Sequence, residues 1–361
     1  MTLQYATGAL PAKHDYRTVP RSAVAFGAAQ SSTPSKYVTK ELDRIVDVLN
    51  QKARGACTGH GVGHGSAYLK LKESGKRLRF SGRFPYVRGR VLSGMKPEDP
   101  EGAYMLDVMK AWTRGGVATE LVCPNNPLEA AAIYGDPRRL TAAMYADARP
   151  YAIRSFAAVN WWDREELKKA LVHDGFVLVS SYVGETWNEP ERGVPIPAPK
   201  TLAGGHLFLI YGYEETGDGL ILNILNSWGD RWCDRGRALL RYEDYYQGFF
   251  YEMYSVVDLP DDWLALLKDL PSEQTFRYRF EKKLAYGERG ADVRALQVAL
   301  AIEGDFKFAP GDPDTYGPKT RDAVRRFQER YQLADPDTLK DINGMYLGPA
   351  TLRTLTSIYN V

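Results

Sequence analysis

Apolar and polar positions follow two different periods in the first 260 residues. Up to about Asp163 the spacing is helical. Cys57 through Leu71 predicts a helix with Val62, Ser66 and Leu69 as its inward face. Ala103 through Arg114, with Leu106, Met109, Lys110, Trp112 and Thr113, predicts a second helix ended by Gly115-Gly116, and Glu165 to Asp174 a third ended by Gly175. From Phe176 the texture becomes that of strands: Phe176–Val183, Leu207–Tyr213, Leu220–Leu225, Ala238–Tyr242 and Tyr254–Leu259, with Gly217-Asp218-Gly219 as the turn between two of them. Residues 1–40, rich in Ala, Ser, Thr and Pro, show no sustained period and are expected to lie extended over the surface.

Beyond residue 264 the pattern changes again. Residues 265–280 (Lys268, Asp269, Pro271, Ser272, Glu273 and Gln274 among them) read as a linker. Three similar units follow, marked by Leu296-Gln297, by Tyr316-Gly317-Pro318 with Phe327-Gln328, and by Leu347-Gly348-Pro349. Gly290, Gly317 and Gly348 each precede an expected helix, and Pro318 and Pro349 occupy the first helical position, where a missing N–H costs nothing. Val293, Leu296 and Leu300 share one face, as do Thr320, Val324, Phe327 and Tyr331. This tail resembles the three-helix peptidoglycan-binding module. The resemblance implies peptidoglycan as a partner, with Tyr286, Tyr316 and Tyr346 near the helix starts as possible stacking residues; hydrophobic structural use is the alternative. From Glu281 on, twelve Lys/Arg balance twelve Asp/Glu, so bulk charge does not draw the module to an anionic wall.

The 361 residues have the composition of a soluble globular protein, 44% hydrophobic and 25% charged. A net charge of +2 argues against a nucleic-acid or membrane footprint spread over the whole surface. No apolar run approaches the ~20 residues of a membrane helix. The first thirty residues lack the apolar block of a secretory signal, so the expectation is a cytoplasmic protein as written, or one exported by another route. Three cysteines cannot all pair; Cys123 and Cys233 could pair or stay reduced.

Candidate chemistry begins at Asn50-Gln51-Lys52-Ala53-Arg54-Gly55-Ala56-Cys57. A thiol at the first turn of a helix meets free backbone N–H groups and the positive end of the macrodipole, which favour the thiolate and lower its pKa. Gln51, six residues upstream, can fold back over the sulfur and donate to an oxyanion. His206 heads the Leu207–Tyr213 strand after Gly204-Gly205, and Leu225-Asn226-Ser227-Trp228-Gly229 follows. Taken singly, Cys57 reads as a small core residue and His206 as a satisfied strand-end histidine. The joint order resembles the papain-like cysteine peptidases.

That resemblance implies an α+β fold, two-lobed and papain-like, with a helical lobe and an antiparallel β lobe. The small three-helix bundle follows it, giving residues 1–264 as peptidase, 265–280 as linker and 281–361 as the wall-binding module. It implies Cys57 as nucleophile, His206 as base and later acid, Asn226 as orienting group, Gln51 as oxyanion donor and Trp228 as a cover over the Asn226–His206 bond, with no cofactor and a protein or peptide substrate. Leu10-Pro11-Ala12-Lys13-His14-Asp15-Tyr16-Arg17 resembles the opening of the mature enzyme, which leaves no room for a long inhibitory segment and implies no control by one. Gly116-Val117-Ala118-Thr119-Glu120 resembles the turn after the family's second helix.

The sequence also departs from the family. Arg54 stands where many secreted relatives carry a disulfide cysteine, which suits a reducing compartment. Thr58 replaces an aromatic, and Gly59, Gly61, Gly63 and Gly65 each cost a helix ~1 kcal/mol relative to alanine, so close backbone packing is expected there. Cys57, His60 and His64 could present zinc ligands on one face, but no fourth ligand is evident. His14 and His173 read as surface residues; Trp161-Trp162 and Tyr245-Tyr246 with Phe249-Phe250-Tyr251 read as core or lobe-packing aromatics. Rival functions are hydrolysis or transfer of peptidoglycan stem peptides by the same residues, and a degenerate binding scaffold.

Overall fold

The computed structural model describes residues 3–11, 15, 17–23, 32–44, 46–257, 261–271 and 275–359. The chain divides into two compact units, Met1–Ala12 with Pro20–Asp258 and Lys13–Val19 with Leu259–Val361. In chain order the first holds strands β1 (Ala9–Leu10), β2 (Lys36–Val38), β3 (Ala103–Tyr104), β4 (Ser155–Ala158), β5 (Val177–Gly184), β6 (Pro195–Ile196), β7 (Leu202–Thr216), β8 (Gly219–Leu225), β9 (Arg237–Arg241) and β10 (Phe250–Val257). One sheet runs β4-β10-β5-β7-β8-β9-β6, with β2 also on β7. Its ladders are antiparallel except the short β6–β9 pair, and β1 pairs with β3 in parallel as a separate ribbon.

Both faces of this sheet are buried, which explains the unbroken apolar run on β7. Leu207, Leu209 and Tyr211 join one core with Leu178 and the helices Cys57–Ser74, Arg83–Leu92 and Met105–Gly115. Phe208 and Ile210 join another with Val177, Val179, Leu222 and Ile224, closed by the helix Arg164–Asp174. Alternate side chains on one strand are thus claimed by different cores. Asp163 caps the last of these helices by accepting from the N–H groups of Glu165 and Glu166, and Gly175 ends it with φ at 88°.

The Cys57–Ser74 helix differs from expectation in its burial. Every residue from Cys57 through Tyr68 is buried, so it has no single inward face, and Leu69 is only half-buried. Its glycines account for this. A Cβ on Gly59 would lie 1.9 Å from the Gly82 carbonyl oxygen, and one on Gly61 would lie 2.1 Å from Leu207 Cδ2. Close approach on two flanks replaces helix propensity as the stabilising influence.

Other elements depart from the sequence pattern. Ala103 begins no helix; it lies in β3, and the helix starts at Met105. The last strand starts four residues earlier than expected, and Leu259 lies outside the described residues. The spacing does not reveal Arg83–Leu92, because buried Arg83 and Arg90 interrupt its apolar period. The Arg90 guanidinium donates to the carbonyls of Lys96, Asp99, Pro100 and Gly102, which satisfies a charge the sequence reads as exposed. Residues 4–10 are not spread over the surface either, since Gly8 and Ala9 are buried.

In the smaller unit, the stretch read as a linker holds part of the helix Asp261–Asp269. Leu270, Phe276 and Phe280 are buried in a core with Leu284, Val293, Leu296 and Leu300; Ser272, Glu273 and Gln274 lie outside the described residues. Helices Ala291–Ile302, Pro318–Arg330 and Pro349–Tyr359 begin where the glycines place them, and a short extra helix, Pro336–Ile342, is capped by Asp335. The repeated glutamines have one structural job. Gln297 Nε2 donates to Thr320 Oγ1 and Gln328 Nε2 to Thr351 Oγ1, both at 3.1 Å. Tyr316 is buried and donates to the Gly344 carbonyl, so it is not a stacking residue; Tyr286 and Tyr346 are exposed.

Candidate active site

The segment before the cysteine is tied to the Asn226 box by backbone pairing. Gln51 N–H donates to the Ser227 carbonyl at 2.9 Å and Gly229 N–H to the Leu49 carbonyl at 3.1 Å. The Gln51 side chain is then fixed at both ends. Its Oε1 accepts from Ser227 Oγ at 2.6 Å, while Nε2 donates to the carbonyls of Arg54 at 2.8 Å and Ala6 at 3.0 Å. Its N–H groups therefore point at carbonyl oxygens around the loop leading to Cys57.

Cys57 is the first residue of its helix and has no solvent exposure. Its sulfur is within hydrogen-bonding reach of the backbone of Leu207, the residue after His206, and of Thr58 and Gly8. The sequence predicts a lowered thiol pKa, and the structure corrects this. Burial pushes the thiol up to about 12, and the backbone hydrogen bonds from Leu207, Thr58, Cys57 and Gly8 offset only part of the desolvation.

His206 lies on β7 opposite Ser181 of β5. Its Nε2 donates to Asn226 Oδ1 at 2.7 Å, and that oxygen also accepts from the Ser227 N–H at 2.7 Å. Burial lowers the imidazole to about 4 despite the opposing Asn226 hydrogen bond. The ring is thus neutral at physiological pH, with Nδ1 carrying the lone pair. Trp228 stacks on the ring with centroids 4.5 Å apart, and Tyr5 in turn stacks on Trp228 at 4.5 Å.

The structure therefore brings Gln51, His206, Asn226 and Trp228 into one hydrogen-bonded and stacked cluster, with the Cys57 thiol against the next residue of β7. Sequence reasoning missed Ser227 as the anchor of Gln51, and Trp187 and Trp232 as the aromatic wall around His206 and Trp228. The tryptophan four residues after Trp228 was the available signal. Arg54, at the family's cysteine position, forms an ion pair with Glu101 at 3.3 Å. Cys57, Cys123 and Cys233 are all free thiols; Cys123 is in one core and Cys233 packs against the other.

Both helix histidines are committed to backbone groups. His60 Nδ1 donates to the Ala56 carbonyl at 2.8 Å, and His64 Nε2 accepts from Leu49 N–H at 2.9 Å. His173 is exposed, and His14 lies outside the described residues. Tyr245 and Phe250 are core residues, but Trp162 is exposed, stacked edge-on against Tyr246.

Residues 39–251 match the model of the papain family of cysteine proteases. The chain belongs to that family. As a papain-family cysteine protease it is a hydrolase, and it carries a match to a putative peptidoglycan binding domain at residues 289–340. Among solved structures it is similar to xylellain, a cysteine protease from Xylella fastidiosa, at 22% identity and a TM-score of 0.60 over 72% of this chain and 98% of that one. It is also similar to procathepsin B from Trypanosoma congolense, at 16% identity and a TM-score of 0.56 over 70% and 86%. The ragweed pollen protease Amb a 11 in its proform matches at 21% identity and a TM-score of 0.50 over 66% and 70%. These likenesses bear on the papain-like α+β fold. No curated protein matches the chain. Among the described residues, no helix of this protease is long and apolar enough to cross a membrane.

Proposed function

We propose that this protease cleaves peptide bonds through an acyl-enzyme formed on Cys57. His206 Nδ1 takes the thiol proton as sulfur attacks the substrate carbonyl carbon. The oxyanion is held by Gln51 Nε2 and the Cys57 N–H, and collapses as His206 returns the proton to the departing amine. Water, activated by the same imidazole, then attacks the thioester, releasing the acid and restoring the thiol. Asn226 keeps the imidazole in the tautomer that leaves Nδ1 basic. The observation that carries this reading is the 2.7 Å bond between His206 Nε2 and Asn226 Oδ1 under the Trp228 indole. Replacing Cys57 with alanine should abolish hydrolysis of a denatured protein while circular dichroism stays unchanged; retained hydrolysis would reject the assignment.

The match at residues 289–340 favours a second reading, in which the smaller unit directs the enzyme to cell wall and stem peptides are the substrate. Digesting purified wall and a denatured protein in parallel, then comparing the new amino termini, separates the two.

A further inference from the structure

The loop before the nucleophile is a tight turn with little of its own to hold it. Arg54 N–H donates to the Gln51 carbonyl at 3.0 Å, and Lys52 inside the turn has a φ of 52°, a left-handed conformation that is costly for a residue with a side chain. Lys52 and Ala53 are exposed, so the turn is anchored inward through Gln51 and Arg54. Gln51 Nε2 in turn donates to the Arg54 carbonyl at 2.8 Å. The direction of the Gln51 amide thus depends on where the Arg54 backbone is held.

What holds Arg54 comes from a different segment. Its side chain is 15% exposed, and its Nη1 lies 3.3 Å from Glu101 Oε1. Among the described residues neither of these two buried atoms has a hydrogen-bond partner, so each charge is balanced by the other. Glu101 itself sits on a fixed support. The buried Arg90 guanidinium donates to the carbonyls of Pro100 and Gly102, on either side of it, at 2.8 and 2.7 Å. The two loops also touch through Gly55, where a Cβ would lie 2.8 Å from Glu101 Cβ and 3.2 Å from Gly102 N. Cys57, Cys123 and Cys233 are free thiols, so no disulfide ties these loops together. A chain of contacts therefore runs from Arg90 through Glu101 and Arg54 to the Gln51 amide.

We propose that Arg54 and Glu101 are a positioning pair for the hydrolysis, an ionic clamp that fixes the turn before Cys57 against the loop 96–102 and so aims the Gln51 amide. The inference rests on the reading of Gln51 as oxyanion donor for its kinetic consequence, while the clamp itself rests on the contacts.

The test compares the unmodified chain with Arg54→Met, Glu101→Gln and the two together. It reads kcat and KM on a fluorogenic peptide, the melting temperature, and hydrogen exchange of the backbone amides of residues 51–57. Each single change should lower kcat by about tenfold to a hundredfold, the scale of loss when a catalytic group is displaced by around 1 Å, with KM little changed. Each should also lower the melting temperature, because it strands a buried charge. The double, which strands none, should regain the melting temperature and keep the low kcat. Its loss should match that of a single change, not the product of the two. A double that regains kcat together with the melting temperature would make the pair structural only and overturn the proposal, as would a loss equal to the product. In a Gln51→Ala background, Arg54→Met should cost no further kcat; a further loss of the same size would overturn the route through Gln51. Exchange in residues 51–57 should be faster in all three variants, and an unchanged rate in the double would overturn the clamp whatever the kinetics. If Gln51→Ala alone leaves kcat unaltered while exchange rises as expected, the oxyanion reading fails and the clamp stands. Where a single variant does not fold, the double against the unmodified chain decides the same points.

Discussion

Ser227 Oγ donates to Gln51 Oε1 at 2.6 Å, while Gln51 Nε2 donates to the Arg54 and Ala6 carbonyls at 2.8 and 3.0 Å, so the amide is held at both ends. A glutamine amide can rotate by half a turn at little cost, exchanging donor for acceptor. Carbonyls only accept, so the Arg54 and Ala6 oxygens remove that freedom, and the Ser227 hydroxyl, which could pair with either end, then donates to the amide oxygen. One short segment therefore holds both the His206 imidazole, through Asn226, and the Gln51 amide, through Ser227.

Gln51→Ala should lower kcat by about 10²–10³-fold with little change in KM, the usual cost of losing one oxyanion donor. Ser227→Ala should lower kcat in the same sense by a smaller factor, because the donor is misdirected but still present. Steady-state kinetics on one peptide substrate check both. A loss confined to KM would place Gln51 in ground-state binding.

Asn226→Ala should reduce kcat on the order of 10²-fold, the lower end of what a positioned general base contributes. Stability should change less than for Trp228→Ala, which removes a buried indole and costs about 3–5 kcal/mol. Urea unfolding of the two variants beside their kinetics distinguishes an orienting residue from a packing one.

Gly59→Ala opposes two effects of different size. Helix propensity favours alanine by ~1 kcal/mol. The new Cβ, however, would sit 1.9 Å from the backbone oxygen of Gly82, which cannot swing aside as a side chain can. Overpacking costs about 1–3 kcal/mol or more, so the net effect should be destabilising. A raised urea midpoint would show that the two backbones are not held in contact.

Three buried histidines make the larger unit sensitive to acid. His60 and His206 are lowered to about 4 from 6.5, and His64 falls well below 6.5, in each case chiefly by burial. Folding keeps them neutral, so stability is complete above pH 6.5 and falls as the pH drops toward 4 and the unfolded imidazoles take up protons. For His60 and His206 the loss is on the order of 3 kcal/mol each across that window. The raised carboxyls of Glu166 and Asp174, also shifted mainly by burial, act in the opposite sense. Melting temperatures from pH 7.5 to 4.5 should fall, with a shallower slope in His60→Gln; a flat profile would contradict neutral burial.

Much of this is legible in the sequence. Strands β5, β7, β8, β9 and β10, the helix after Cys57 and the helix starts after Gly290, Gly317 and Gly348 follow from spacing and punctuation, whereas the shorter β2, β4 and β6 do not. The cluster of Gln51, His206, Asn226 and Trp228 is expected only from the family resemblance that their order along the chain carries. What escapes is set by tertiary partners. Arg83 and Arg90 read as surface charge because the carbonyls that receive them come from other segments. Residues 4–10 carry no period because their backbone groups bond to distant segments: Gly8 N–H to the Gly205 carbonyl, and the Ala6 and Ala9 carbonyls to Gln51 and Tyr251 side chains. The thiol pKa is misjudged from sequence because a helix terminus is visible there and desolvation is not.

Strand β7 carries His206 between two cores, with β5 beside residues 202–210 and β8 joining the other edge from Leu209 on. Amides in its centre have no route to exchange with deuterium except by opening the whole sheet. His206 is thus anchored by a paired strand, and its alignment is settled during folding. Leu207, Phe208, Leu209 and Ile210 should be among the last amides to exchange, on the timescale of global unfolding.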